Sequence, residues 1–298
     1  MDQLDAMRAF VAVATRGSFA EAARHLRLSH SVVSRAIAGL EDRLGLVLLM
    51  RTTRSVRLTE RGAIYVESCR KILEDIDGAE RLVRGEDAAP RGILTVAAPI
   101  LFGRLHVLPI LTGLMAGHAD LRVRLALSDR NVHLVEEGVD VAIRVGALAD
   151  SSLAAVRLGA VSRVIVASPA YLVRREHPRG PADLDDHDIV AFEGVGLDDI
   201  WRFAKPDLDV RIEPRIAVNS ADAAIAAAEQ GVGITRAFSY QIQSKVAAGR
   251  LVPLLRGFEA PPLPVSAVHQ ARRIGSANLE AFKAAARTYF KGRDLTLA

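Results

Sequence analysis

Apolar residues Leu4, Met7, Phe10, Val11 and Ala14 recur at helical spacing, and the run stops at Gly17, which predicts a first helix ended by glycine. Ser18 opens the tetrapeptide SFAE, a capping box in which the Ser18 hydroxyl and the Glu21 carboxylate satisfy backbone amides. A short second helix is expected over about Phe19–Leu26, with Ala22, Ala23 and Leu26 inward. After a turn at Arg27-Leu28, Ser29 is placed to cap a third helix that reaches about Leu44, where Gly45 ends it. Val33, Ala36, Ile37, Leu40 and Leu44 fall in one apolar sector of this helix, and Ser31, Ser34, Arg35 and Ala38 fall opposite. Small hydroxyl and alanine side chains with one arginine suit close approach to a major groove, although an ordinary solvated helix face has the same composition. Two short helices joined by a tight turn form a helix-turn-helix.

In LVLLMRTTRSVRLTERG two apolar stretches flank Arg51-Thr52-Thr53-Arg54, and the alternation of Val56 and Leu58 with Arg57 and Thr59 predicts a short strand. A hairpin with arginines at its tip reads as a wing that lies along phosphates or enters the minor groove, or as a solvated basic turn. A long helix is expected from about Thr59 to Val83. Its apolar stripe Val66, Cys69, Leu73, Ile76 and Val83, broken at Glu80, predicts packing on a second copy of the chain. GEDAAPRG, residues 85–92, reads as a linker.

Beyond Gly92 strand-like runs alternate with helical ones, the pattern of βαβ units around a parallel sheet. Strands are expected at ILTVA, LRVRLALS, VDVAIRV, VSRVIVA, DIVAF and VRIEPRIAV. Helices are expected at Leu105–Ala116, Asn131–Glu137, Ser220–Gln230, Ser239–Ala248 and Ser276–Tyr289. Ligands of open α/β sheets bind outside the carboxyl ends of strands, near helix N-termini. That rule selects Pro99, Ile100 and Leu101 after the first strand, Ser128 after the second and Arg144 and Gly146 at the third. It also selects Asn219 and Ser220 where a strand meets a capped helix, and Thr235. Taken singly, each is more at home as a loop or cap residue. Arg144, in an apolar strand, must face a cleft or find a partner such as a neighbouring acid.

The length of 298 residues predicts about two domains. Half the residues are apolar and a quarter charged, which excludes wholesale disorder. A single cysteine, Cys69, precludes an intrachain disulfide or a CxxC motif and fits a reducing cytoplasm; it reads as a buried thiol or a redox sensor. The acids Asp2 and Asp5 stand where a signal peptide is basic, and no uninterrupted apolar run reaches about 18 residues, so a cytoplasmic protein without a membrane span is expected. Between Arg16 and Arg61 nine arginines face four acids, and no lysine precedes Lys71. Arginine forks match phosphate and guanine edges. Arginine also exceeds lysine along the whole chain, 34 to 5, so a coding bias explains the same excess.

Catalytic signatures do not emerge. Gly194-Val-Gly196 and Gly231-Val-Gly233 lack the third glycine of a dinucleotide loop, and GxxxxGK[ST], HExxH and GxSxG do not occur. The eight histidines show no metal-ligand spacing. No catalytic residue, metal or cofactor is expected.

The run SFAEAARHLRLSHSVVSRAIAGLEDRLGLVLLMRTTRSVRLTERG closely resembles the helix-turn-helix of LysR-type transcriptional regulators. The match lies in Ala-Ala-x-x-Leu, Ser-Arg-x-Ile-x-x-Leu-Glu-x-x-Leu-Gly and Arg-Thr-x-Arg…Leu-Thr-x-x-Gly. The resemblance implies that His30, Ser31, Ser34 and Arg35 reach bases while Arg51 and Arg54 hold the backbone. His30-Ser31 replaces the family's usual Gln-Pro, and Leu49 its usual Phe. The segment from Leu134 to Arg144, Val218-Asn219 and Gly231-Val-Gly-Ile234 resemble the LysR effector-binding domain.

The fold class implied is an N-terminal all-α winged helix-turn-helix plus a C-terminal α/β two-lobed domain like a periplasmic binding protein. The expected division is a DNA-binding domain over 1–60, a dimerisation helix and hinge over 61–91, and an effector domain over 92–298. Its lobe one is 92–161 with 267–298, and its lobe two is 162–266. Double-stranded DNA, a small-molecule effector and a homo-oligomer, dimer or tetramer, are the implied partners. Arg236 favours an anionic effector. The competing reading is an α/β enzyme or solute-binding protein whose N-terminal helices only dimerise.

Overall fold

The computed structural model describes residues 2–51, 56–84, 89–130, 133–134, 136–148, 153–193, 200–271 and 276–297. It divides into two compact units, residues 1–89 with 275–277 and residues 90–274 with 278–298.

In the first unit, helices α1 (Gln3–Arg16), α2 (Phe19–Leu26) and α3 (His30–Leu44) precede an antiparallel hairpin, β1 (Leu49–Arg51) and β2 (Val56–Leu58), and α4 (Glu60–Arg84). Met7, Phe10 and Val13 of α1 pack with Ala22 and Ala23 of α2 and with Val33, Ile37 and Leu40 of α3. The expected caps form at Ser18 and Ser29, whose hydroxyls accept from the amides of Glu21 and Val32 at 3.3 Å each. The reciprocal bond from the Glu21 carboxylate does not form, so the capping box is half made. Arg27 takes left-handed backbone (φ 56°), which lets the Leu28 amide reach the Ala23 carbonyl and turns the chain between α2 and α3.

The α4 stripe departs from expectation. Val66 and Cys69 are buried in the unit's own core, Leu73 packs against it, and the Tyr65 ring lies 5.8 Å from Phe10. The first half of the stripe is therefore satisfied within the chain, because α1 supplies the apolar surface that a second copy was expected to supply. Burial, the largest influence, pushes the Cys69 thiol up, away from the thiolate a redox sensor needs.

In the second unit the chain forms β3 (Gly92–Ala98), a continuous helical stretch of α5 (Ile100–Phe102), a π-turn (Gly103–Val107) and α6 (Leu108–Gly117), then β4 (Leu121–Leu127), β5 (Val141–Val145) and β6 (Leu153–Val161). There follow β7 (Arg163–Ala167), α7 (Pro169–Arg174), β8 (Ile189–Phe192), the short pair β9 (Ile200–Trp201) and β10 (Val210–Arg211), and β11 (Pro214–Val218). The order closes with α8 (Ala221–Glu229), β12 (Ile234–Phe238), α9 (Ser239–Ala247), β13 (Val252–Leu254), β14 (Leu263–Gln270) and α10 (Ala277–Phe290).

Two five-stranded sheets result, in the orders β4-β3-β5-β14-β6 and β11-β8-β12-β7-β13. Both are mixed, whereas the βαβ pattern predicts parallel sheets. β3, β4 and β5 are parallel, as are β8, β11 and β12, but β14 is antiparallel to β5 and β6, and β7 to β12 and β13. The antiparallel strands belong to the stretches where the chain crosses between sheets. VSRVIVA, read as one strand, breaks at Ser162. There the chain leaves the first sheet, and Ser162 exchanges bonds with Ser239, its amide donating to the Ser239 hydroxyl at 3.0 Å and its carbonyl accepting from the Ser239 amide at 2.9 Å. VRIEPRIAV likewise divides between β10 and β11. The helix expected at 131–137 is reduced, among its described residues, to turns closed by the Glu137 amide on the His133 carbonyl; residues 131, 132 and 135 lie outside the described residues. The helix expected at 105–116 starts earlier, at Ile100.

The stretch Ile100–Gly117 is long and apolar enough to cross a membrane by length and composition alone, with mean hydropathy 1.5. It carries Arg104, and one side of it, Phe102, Val107, Ile110, Leu111 and Leu114, is buried in the unit's core while Leu105, Leu108 and Met115 are exposed. His106 sits in the π-turn within an aromatic cage, its ring centroid 4.8 Å from Phe102, 5.8 Å from Tyr240 and from Phe290, and 6.1 Å from Tyr289. Burial, reinforced by the charge of Arg293, pushes its pKa down to about 4.

Two outcomes follow for stability. A Cβ added at Gly62 would stand 2.0 Å from the Leu48 carbonyl oxygen, a backbone atom, whereas one at Gly39 meets nothing within 4 Å. Gly62→Ala is expected to lose about 1–3 kcal/mol by overpacking, and Gly39→Ala to gain up to about 1 kcal/mol from helix propensity, in denaturant melts followed by circular dichroism. The folded chain holds His106 neutral down to about pH 4, while an unfolded chain takes its proton near pH 6.5. Protons therefore favour unfolding over that window. Stability should fall as pH drops from about 6.5 to 4 by up to roughly 3 kcal/mol, and His106→Phe should flatten that part of the profile.

Candidate nucleic-acid interface and ligand cleft

α3 presents the face the sequence assigned to DNA. His30, Ser31, Arg35 and Ala38 are exposed and Ser34 is half-buried, while Val33, Ile37 and Leu40 are buried behind them. Arg35 lies back along its own helix, its Nε donating to the Ser31 carbonyl at 3.3 Å. The Ser29 and Ser31 hydroxyls are 3.0 Å apart, and the His30 ring stands 5.8 Å from Phe19 of α2. The face thus offers hydroxyl, imidazole and guanidinium groups around a small alanine, with no carboxylate among them.

The hairpin beside it is fixed by residues that the sequence displays only as parts of a motif. Glu41 of α3 accepts from the amides of Leu48 and Leu49, at 2.7 and 3.1 Å, tying the start of β1 to the helix. The Thr59 hydroxyl donates to the Val47 carbonyl at 2.9 Å and accepts from the Gly62 amide at the same distance. At Gly62 the backbone approaches Leu48 more closely than any side chain permits. A carboxylate at the end of an apolar helix face, ahead of Leu-Gly and a strand, was the available signal. Arg51 ends β1 opposite Val56. Arg54, with residues 52–55, lies outside the described residues.

In the second unit the sequence-selected positions divide. Pro99 and Ile100 follow β3, Ser128 follows β4 and Gly146 follows β5, so they share the carboxyl edge of the first sheet. Asn219 and Ser220 stand at the corresponding end of β11. Arg104, in the helical stretch that Pro99 opens, lies 3.9 Å from Asp222 of α8, the helix that Ser220 caps, so the two edges approach one another. Ile100 is 42% exposed and Asn219 is exposed. Arg144, half-buried on β5 opposite Ser266 of β14, points to the sheet face that carries Ala142 and Val268.

Two of the positions lie in the interior. Thr235 is fully buried and donates to the Val190 carbonyl at 2.8 Å, since an interior hydroxyl must find an acceptor. Leu101 is buried in the core beneath the helical stretch. Several polar groups at the strand ends serve the main chain. Ser128 accepts from the Arg130 amide at 3.1 Å, Asp129 from the Ile100 amide at 3.0 Å, and Ser220 from the Ala223 amide at 3.3 Å. Asp140, which sequence reading passed over inside its own motif, is buried and accepts from the Thr95 amide at 2.8 Å. The Gly231-Val-Gly233 pair is a packing device: a Cβ at Gly233 would stand 2.1 Å from the Asp188 carbonyl oxygen. Gly194–Gly196 lies outside the described residues. Among the described residues no group of three or more His, Cys, Asp or Glu side chains is placed to hold a metal ion.

Comparison with known proteins meets this geometry from outside. Residues 4–63 match the bacterial regulatory helix-turn-helix of the lysR family, and residues 87–291 match the LysR substrate binding domain. The chain is 32% identical over 293 residues to the HTH-type regulator YhjC of Escherichia coli, covering 95% of this chain and 96% of that protein. It is 35% identical over 286 residues to an HTH-type transcriptional repressor of Pseudomonas aeruginosa, covering 95% and 90%. Among solved structures it is similar to CrgA, a LysR-type transcriptional regulator of Neisseria meningitidis, with TM-score 0.63, 28% identity and coverage of 97% and 99%. The fold is also that of full-length AphB of Vibrio cholerae, with TM-score 0.60 over 97% of this chain and 100% of that one. With a helix-turn-helix braced to a hairpin in its first unit and two mixed sheets in its second, the chain belongs to the LysR family of transcriptional regulators, a DNA-binding helix-turn-helix joined to an effector-binding domain.

Proposed function

We propose that His30, Ser31, Ser34 and Arg35 read base edges in the major groove of double-stranded DNA while Arg51 and Arg54 hold the phosphate backbone. The observation that carries this reading is the exposed front of the amino-terminal turns of α3, His30 to Ala38, which holds no carboxylate and lies over buried Val33, Ile37 and Leu40. The division proposed is a DNA-binding domain over 1–60, a linker helix and hinge over 61–91 and an effector domain over 92–298, with lobe one 92–161 and 267–298 and lobe two 162–266.

The effector would bind between the lobes against Pro99, Ile100, Ser128, Gly146, Asn219 and Ser220, with Arg144 as a nearby cation, and an anion would suit it. Differential affinity of the effector for two lobe arrangements would supply the switch. We read this domain as a receptor and not an enzyme because the polar groups at its strand ends are spent on backbone amides. A cytoplasmic setting suits a DNA-binding chain with one buried, protonated thiol.

A homo-oligomer, dimer or tetramer, is supported by apolar side chains that the chain leaves uncovered. Leu105, Leu108 and Met115 are each more than a third exposed along the helical stretch, and Ile64 and Ile72 are exposed on α4. Leu105→Glu with Leu108→Glu is expected to shift sedimentation toward smaller species; a wild-type monomer at every concentration would refute the assembly.

DNA recognised by the protein and selected from a random pool provides the test of the interface. By fluorescence anisotropy, Arg35→Ala should lose roughly 5- to 150-fold in discrimination between selected and random duplex. Arg54→Ala should weaken both and lower the salt slope by about one. Two variants that bind like the parent would overturn the assignment.

A further inference from the structure

Asn278 joins two stretches of chain that meet at the boundary between the units. The division falls between residues 89 and 90 and on either side of residues 275–277, so Arg91 and Asn278 each stand among the first residues of the second unit where the chain enters it. The Asn278 Oδ1 accepts from the Arg91 amide at 2.9 Å, and the Asn278 Nδ2 donates to the Arg91 carbonyl at 2.7 Å. A carboxamide carries an acceptor and donors on one flat group, so it can take the N–H and the C=O of a single residue together, as a neighbouring antiparallel strand does. Both peptide planes that flank Arg91 are thereby fixed.

Both sides of this clasp are themselves anchored. Directly after Arg91 the Gly92 amide donates to the Asp120 carbonyl at 3.0 Å, and β3 runs in register with β4 from Gly92 and Leu121 onward. Directly after Asn278, Leu279 and then Phe282, Ala286 and Phe290 bury one face of α10 in the core. Phe290 stacks on Phe102 of α5 with ring centroids 5.8 Å apart, so α10 runs from the helical stretch at the strand ends to the clasp.

We infer that Asn278 is a positioning residue for DNA recognition: it fixes the direction in which the chain coming from α4 enters the second unit, and so the separation at which two copies of α3 in an oligomer meet two half-sites. Each copy of a helix-turn-helix reads its own half-site, and the half-sites lie one helical turn or a multiple of it apart. Joining two binding events raises affinity only where the connection lets both engage at once, and a looser connection tolerates more separations while gaining less at the best one. With the clasp opened, the first fixed point of the tether recedes from Arg91 to Gly92, and the Arg91 dihedrals are released. This inference rests on the reading of the chain as a DNA-binding homo-oligomer.

The test uses the full chain and a duplex selected from a random pool, by fluorescence anisotropy, in three forms: as selected, with its half-sites moved apart by about five base pairs, which is half a helical turn, and with one half-site scrambled. The native protein is expected to prefer the selected spacing to the half-turn insertion by roughly tenfold or more. Asn278→Ala should shrink that preference to within about threefold by losing affinity for the selected duplex, while affinity for the single half-site stays unchanged. Asn278→Asp keeps the acceptor for the Arg91 amide and loses the donor to its carbonyl, so it should lie between; being isosteric, it keeps the test open where the alanine variant folds poorly. Hydrogen exchange of the peptide containing residues 89–92 should quicken in Asn278→Ala. A spacing preference that survives in both variants, or a loss shared equally by the single half-site, would overturn the positioning role while the regulator reading stands. Native protein that binds one half-site as tightly as two would sink the two-site reading, and the proposal with it.

Discussion

One carboxylate holds the DNA-facing side of the molecule together. Glu41 sits at the far end of α3 and accepts two successive amides of the chain entering β1, so the helix and the hairpin move as one piece. Hydrogen bonds from amides to an ionised acceptor are among the stronger ones, about 1.5–3 kcal/mol each. A recognition helix and a wing that drifted independently would lose the fixed spacing that simultaneous contact with a groove and a backbone demands. Thr59 and Gly62 secure the hairpin from the α4 side, and together the three give the spacing of Glu41, Thr59 and Gly62 in this chain a structural reason.

The first unit was nearly transparent in the sequence because its elements are local. Periodicity located α1, α2 and α3, serine caps marked two starts and glycines two ends, and the wheel separated the buried Val33, Ile37 and Leu40 from the exposed Arg35. The α4 stripe was legible as a need and not as a partner: a stripe announces that a helix needs an apolar neighbour and is silent about which one. Here α1 takes its first half.

The second unit was legible in its βαβ units and opaque where the chain crosses between sheets. β6, β13 and β14 pair with strands distant in sequence, and no local pattern encodes an antiparallel return. At the strand ends of this unit the positions were legible in the sequence and the partners of their side chains were not. Thr235 and Ser220 look alike as small hydroxyl residues near a strand end, yet one is sealed in the core on Val190 and the other caps α8 at the end of β11. Side-chain direction, set by register, decides between them, and register is a property of partners.

The amino-terminal unit is cationic through one residue type. Its positive side chains, as far as Lys71, are all arginines. A guanidinium keeps its proton at any pH a cell reaches and offers no amine to acetylating enzymes, so the charge that meets a polyanion there is permanent. Release from the duplex cannot be achieved by neutralising this surface through lysine chemistry. A rearrangement of where that surface is held needs no such chemistry.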